Sequence, residues 1–158
     1  MTSANTVSAT RLIPAPADQI FDLLADPGRH PEIDGSGTVV ASRSRGERRL
    51  KLGDVFGMDM RMGVAYRTRC VVVEFVEDRL IAWQVRAPAP LNKVFTGRIW
   101  RYELQPTDGG TMVTETWDIS SEALPARALV RATMAGSTRV SMERTLARIE
   151  SVLAAKAS

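Results

Sequence analysis

Residues 97–120 read GRIWRYELQPTDGGTMVTETWDIS, and the period of this stretch decides the fold. Arg98, Trp100, Tyr102 and Leu104 alternate with Arg101 and Glu103, and Val113, Glu115, Trp117 and Ile119 alternate with Met112, Thr114, Thr116 and Asp118. Successive side chains of a strand point to opposite faces, so each segment gathers its large residues on one face. Between the segments, Thr107–Gly110 holds an Asp-Gly pair, which joins antiparallel neighbours. The stretch is therefore a β-hairpin with one face rich in aromatic rings. Two ionisable residues, Arg98 and Glu115, share that face and are expected to meet there, because an unpaired buried charge is costly.

Downstream the spacing turns helical, from Pro125 to about Ala154. Leu129, Thr133, Gly136 and Val140 form one stripe and Met142, Leu146, Ile149 and Leu153 another. A helix of ~30 residues is roughly 45 Å long. Gly136-Ser137-Thr138 is a candidate kink, and Arg127, Arg131, Arg144 and Arg148 read as a solvated outer face.

Upstream the period of two continues. Ile81, Trp83 and Val85 share a face, and Pro88 and Pro90 break the chain after them. Tyr66–Val76 is a strand whose valine run leaves its facing open. In GDVFGMDMRMG at 53–63, Phe56, Met58, Met60 and Met62 share one face, and Gly63 turns the chain. Val39 begins a strand that runs into SRSRGERRLK at 42–51. The first strand is Thr6–Ile13, ended by Pro14 and Pro16. Pro16 suits a first helical turn, where its missing N–H costs nothing, and Ala17, Ile20, Phe21 and Leu24 follow at helical spacing. Asp26-Pro27-Gly28 stops that helix, and Arg29–Asp34 makes a second short one.

The order is strand, two short helices, about six strands and one long helix. Consecutive strands with short turns make an antiparallel meander. Its apolar face needs a cover, and only the C-terminal helix is large enough. The fold class is α+β, a curved antiparallel sheet of six to seven strands wrapped around a long helix, in a single domain spanning 1–158. Apolar residues are 44% and charged residues 25% of the 158, the composition of an ordinary globular protein. The net charge of +3 is mild, and much of it sits in 42–51, read as a solvated hairpin rim. No aromatic residue interleaves with that rim, which argues against nucleic acid.

Three stretches carry a resemblance: PAPADQIFDLLADP at 14–27, GRIWRYELQP at 97–106 and GGTMVTETWDIS at 109–120. With the element order, they resemble the START-like, helix-grip (SRPBCC, Bet v 1/START-like) superfamily, and within it the bacterial polyketide cyclase/dehydrase-like proteins. The resemblance covers nearly the whole chain, through motifs that are mostly structural. It implies a deep cavity between sheet and C-terminal helix, in a family that includes lipid carriers, hormone receptors and aromatic polyketide cyclases. Fold alone does not transfer chemistry.

The expected ligand-binding wall is Phe56, Met58, Met60, Met62, Trp83, Arg98, Trp100, Tyr102, Glu115 and Trp117 from the sheet, with Leu129 and Thr133 from the helix. Adaptable methionines and broad aromatic faces suit an apolar ligand; plain core packing is the alternative. His30 and Ile33 are placed at the cavity mouth. His30 is the only histidine and Cys70 the only cysteine, so no metal site is expected. The GSG at 35–37 lacks a third glycine, and no cofactor is expected.

The expected function is binding of a hydrophobic small molecule (a lipid, isoprenoid or polyketide-like aromatic) as carrier or sensor. The alternatives are a polyketide cyclase or dehydratase, in which Arg98, Glu115 or Tyr102 would orient a carbonyl or move a proton, and a protein-interaction module with no ligand. The other expectations are a monomer or homodimer, no nucleic-acid partner and no stable membrane insertion. With no signal-peptide pattern visible, the expected location is cytoplasmic.

Overall fold

The structure, a computed structural model, describes residues 3–42 and 49–158. Among these residues seven strands, β1 (Thr6–Ile13), β2 (Val39–Ser42), β3 (Val55–Met62), β4 (Val64–Val76), β5 (Leu80–Arg86), β6 (Arg98–Thr107) and β7 (Gly110–Asp118), form one antiparallel sheet. Their order is β1-β7-β6-β5-β4-β3-β2. The helices are α1 (Ala17–Ala25), α2 (His30–Ile33) and α3 (Leu124–Ala157). This is the helix-grip architecture expected from the meander and the long helix. Most of the basic rim at 42–51 lies outside the described residues.

The register fixes which side chains share the concave face. Met60, Met58 and Phe56 lie opposite Tyr66, Thr68 and Cys70. Val72 lies opposite Trp83, Trp83 opposite Trp100, and Trp100 opposite Trp117. The facing of β4, open in the sequence, follows from a bulge between Val72 and Glu74. One extra residue there shifts the alternation. Val72 points inward before it, and Phe75 does so after it, meeting Phe21 of α1 edge-on at 5.3 Å. Glu74 turns outward to pair with Arg101.

In α3 the buried residues are Ala126, Val130, Thr138, Met142, Thr145, Leu146, Ile149 and Leu153. The stripe expected from Leu129, Thr133, Gly136 and Val140 is corrected. Leu129 is 60% exposed, and Thr133 and Val140 also face solvent. The reason is helical phase. The helix is continuous through 136–138, so Met142 sets the phase for the whole rod. Steps of four back from it reach Thr138, Met134, Val130 and Ala126, about 100° away from Leu129 and Thr133. Arg127 and Arg148 are also not merely solvated: they donate to the carbonyls of Ser120 and Asp34.

The second of those contacts helps to lock α2 against α3. The Gly35 N–H donates to Thr145 Oγ1 at 2.9 Å. A Cβ at Gly35 would lie 2.3 Å from the Ser141 carbonyl oxygen. Only glycine allows this approach.

Candidate functional site

The concave wall is built in rungs. Trp100 of β6 faces Trp117 of β7, and one rung further along Tyr102 faces Glu115. Two residues of a strand separate these rungs, about 7 Å. Trp83 packs against Tyr102 with ring centroids 5.4 Å apart, and Phe56 meets Trp83 edge-on at 5.9 Å. Most of the aromatic and methionine residues expected from alternation therefore do share one surface. Met62 does not share its cover and is 56% exposed. Pairing of β4 with β5 begins at Arg69, so the hairpin tip that carries Met62 overhangs the sheet.

His30 and Ile33, expected at a cavity mouth, are buried instead, with exposures of 6% and 3%. The single turn of α2 sits against the concave face, held by its links to α3. His30 stacks on Trp83 at 4.8 Å and meets Phe56 edge-on. Its Nε2 lies 2.8 Å from the Leu24 carbonyl oxygen. A carbonyl only accepts, so Nε2 carries the proton. Burial lowers the pKa of His30 to about 4, although the hydrogen bond and the nearby carboxylates of Asp26 and Asp34 oppose the change.

Arg98 and Glu115 do not meet. The Tyr102 hydroxyl donates to Glu115 Oε1 at 2.8 Å. Glu115 is 2% exposed, and its Oε2 is buried with no hydrogen-bond partner among the described residues. Burial raises its pKa to about 8; the Tyr102 hydrogen bond opposes this and Asp34 adds to it. Burial and Glu115 together push the Tyr102 phenol well above its ordinary range. Near neutrality Glu115 is thus mostly a neutral carboxylic acid that can both donate and accept.

Arg98 instead donates to Glu122 Oε1 at 3.1 Å, while the Thr96 N–H donates to Glu122 Oε2 at 2.8 Å. The Arg98 guanidinium also covers the Phe95 ring at 5.8 Å and reaches Met134 Sδ of α3 at 3.5 Å. Register explains the mismatch. Glu115 sits beside Tyr102, two rungs from Arg98, whereas the loop after β7 returns Glu122 to the start of β6. Sequence reasoning missed Glu122 because it lies in no periodic segment; its one signal was being the sole carboxylate between β7 and α3.

Several residues on the concave face are only partly covered: Met60, Tyr66, Val85, Arg98 and Trp100. Phe95 and Met134 pack against the core beside them and are likewise half-buried. Arg98, Phe95 and Met134 come together where β6 meets the first half of α3, and this part of the concave wall is half covered. Apolar walls with few polar groups are typical of small-molecule sites. Two surface clefts lie elsewhere. One, of about 570 Å³, is lined by Asp22, Leu23, Arg29 and Leu153 among others, and one of about 320 Å³ includes Arg79, Glu103 and Met112. Neither includes the aromatic wall.

Among the described residues no three histidine, cysteine or carboxylate side chains come together as a metal ion would need. Cys70 is buried, and burial pushes its thiol up to about 12. A thiol so far from its thiolate is a poor nucleophile at neutral pH.

The family profile described as "Polyketide cyclase / dehydrase and lipid transport" matches residues 4–154. "Uncharacterized protein Rv0088" of Mycobacterium tuberculosis is 34% identical in an alignment 150 residues long that covers 90% of this chain. This chain spans 62% of that relative's length. Among solved structures, a protein from Arthrobacter aurescens superposes with a TM-score of 0.74 at 16% identity, over 96% of this chain and 87% of the other. The di-domain ARO/CYC StfQ from the steffimycin biosynthetic pathway superposes with a TM-score of 0.63 at 17% identity, over 94% of this chain and 51% of its own.

Proposed function

The chain belongs to the polyketide cyclase/dehydrase and lipid transport family of the helix-grip superfamily, and on that premise we propose that it holds an apolar small molecule in a groove between this half-covered wall and α3, as a carrier or sensor. Family and fold support a ligand-binding or cyclase role. The observation that favours binding is the incomplete cover of the concave wall. Trp100, Met60, Tyr66 and Val85 face inward by register yet remain partly open. Covering about 200 Å² of apolar surface would contribute about 5 kcal/mol before the cost of association. Methionine and tryptophan fit a ligand whose shape they need not match closely, such as a lipid, an isoprenoid or a polyketide-like aromatic.

Glu115 supplies polar selectivity in this reading. Its Oε2 lacks a partner one rung from Trp100–Trp117, so a ligand hydroxyl or carbonyl that reached it would relieve a buried unsatisfied group. Replacing Glu115 by Gln keeps the shape and removes the titration. The expected outcome is weaker binding with a flattened pH profile. Equal affinity and an unchanged profile would refute the anchor.

A cyclase or dehydratase is the second reading, and the Tyr102–Glu115 pair is what favours it. A carboxylic acid with its pKa near neutrality is suited to moving a proton. Native mass spectrometry of protein purified from its own host, followed by extraction, separates the two. A stoichiometric, chemically unchanged apolar compound supports a carrier or sensor. Conversion of an added poly-ketone chain by wild-type protein, lost in Glu115→Gln, supports the enzyme. Protein that is empty and takes up no lipid, isoprenoid or aromatic compound contradicts the proposal.

A further inference from the structure

We infer that one end of the sheet docks reversibly on an anionic lipid surface. Three segments meet the same strand ends: the β3–β4 turn at Gly63, the loop 87–97 between β5 and β6, and the start of α3. Each carries large aliphatic side chains in solvent. Met62 and Val64 are 56% and 72% exposed, Leu91 and Val94 are 51% and 53%, and Leu124 and Leu129 are 73% and 60%. Exposed apolar residues scattered singly need no explanation, but pairs repeated on three neighbouring segments do.

The charge of the same segments selects the partner. Residues 58–67, 86–97 and 119–133 carry six basic residues (Arg61, Arg67, Arg86, Lys93, Arg127 and Arg131) against two carboxylates, Asp59 and Glu122. Both carboxylates already face arginine: Asp59 lies 3.8 Å from Arg67, and Glu122 binds Arg98. Aliphatic tips interleaved with cations match an anionic bilayer, where the tips enter the headgroup region and the cations meet phosphate. Nucleic acid would satisfy the cations but leave the aliphatic tips in water.

The platform is also tied together. Glu122 receives both the Thr96 N–H and the Arg98 guanidinium, and the Thr96 hydroxyl donates to the Ser121 carbonyl oxygen. Loop 87–97 and the start of α3 therefore present their side chains as one unit. Among the described residues no helix is long and apolar enough to cross a membrane; the contact inferred is a peripheral one. It does not depend on what the groove holds.

The test is sedimentation of the full chain with vesicles of phosphatidylglycerol and, separately, of phosphatidylcholine. Binding to phosphatidylglycerol at low salt is expected, with salt weakening it and phosphatidylcholine giving little. Each cation near an anionic surface strengthens binding about fivefold, so Lys93→Ala and Arg61→Ala should each weaken it by about that factor. Replacing Leu91 and Val94 together by Asp should weaken it at least about tenfold. The same change at Leu12 and Leu52, exposed at the opposite strand ends, should leave it unchanged. Thermal unfolding checks that each variant is folded; if the double variants are not, the two alanine variants carry the test. The inference is overturned by no phosphatidylglycerol binding at low salt. It is equally overturned by equal losses at both ends of the sheet, or by retention on heparin without vesicle binding.

Discussion

Glu115 and His30 are two titratable side chains kept neutral by the same core, with opposite consequences for stability. The pKa of Glu115 rises from 4.5 to about 8 on folding. The native state therefore holds a proton that the unfolded chain releases, and stability falls as pH rises through that window. The pKa of His30 drops from 6.5 to about 4 on folding. Here the unfolded chain holds the extra proton, so stability is lost as pH falls from 6.5 toward 4. Together these groups place a stability maximum in mildly acidic solution. Glu115→Gln should remove most of the alkaline limb, on the order of a few kcal/mol, and leave the acid limb intact. Thermal unfolding midpoints measured across pH for both proteins check this. An alkaline limb of equal slope in the variant would show that Glu115 is not the group responsible.

At the scale of elements, α3 and its clamp on α2 carry the account. Met142 is fully buried while Leu129 faces water, so Met142→Ala should cost about 2–5 kcal/mol and Leu129→Ser less than about 0.5. Urea unfolding distinguishes them, and comparable losses would mean the helix is rotated from the phase described. Gly35→Ala should destabilise by roughly 2 kcal/mol or more, because the clashing atoms are the backbone of Ser141 and Thr145, which cannot yield cheaply. Wild-type stability in that variant would contradict the close approach of α2 to α3. The elements themselves were legible from period and punctuation, down to the prolines and the Asp-Gly turn. What the sequence did not show was phase across a weak region. Small residues at Ala132, Ala135 and Gly136 give the first half of α3 no strong stripe, and only continuity with Met142 and Leu146 fixes its facing. The β4 valine run hid a bulge for the same reason, since apolar residues on both sides of the extra residue leave no alternation to break.

For the whole molecule, alternation found the wall but not its cover. Phe56, Trp83, Trp100, Tyr102 and Trp117 share the concave face because strand period is a local property. Burial of His30 depends on how α2 folds under the sheet, and the partner of Arg98 depends on where the β7–α3 loop returns; neither is local. Seven methionines make the central claim directly measurable. Met60 lies on the half-covered wall, Met134 on the part of α3 that meets Arg98, Met112 on the convex face, and Met142 is sealed in the core. The decisive measurement is an NMR titration of methyl-labelled methionines with N-phenyl-1-naphthylamine, a neutral aromatic compound. Saturable shifts at Met60 and Met134, with Met112 and Met142 unmoved, are the predicted result. Saturation that moves Met112 and leaves Met60 and Met134 in place, or no saturable shift at any methionine, would contradict a ligand groove between the sheet and α3.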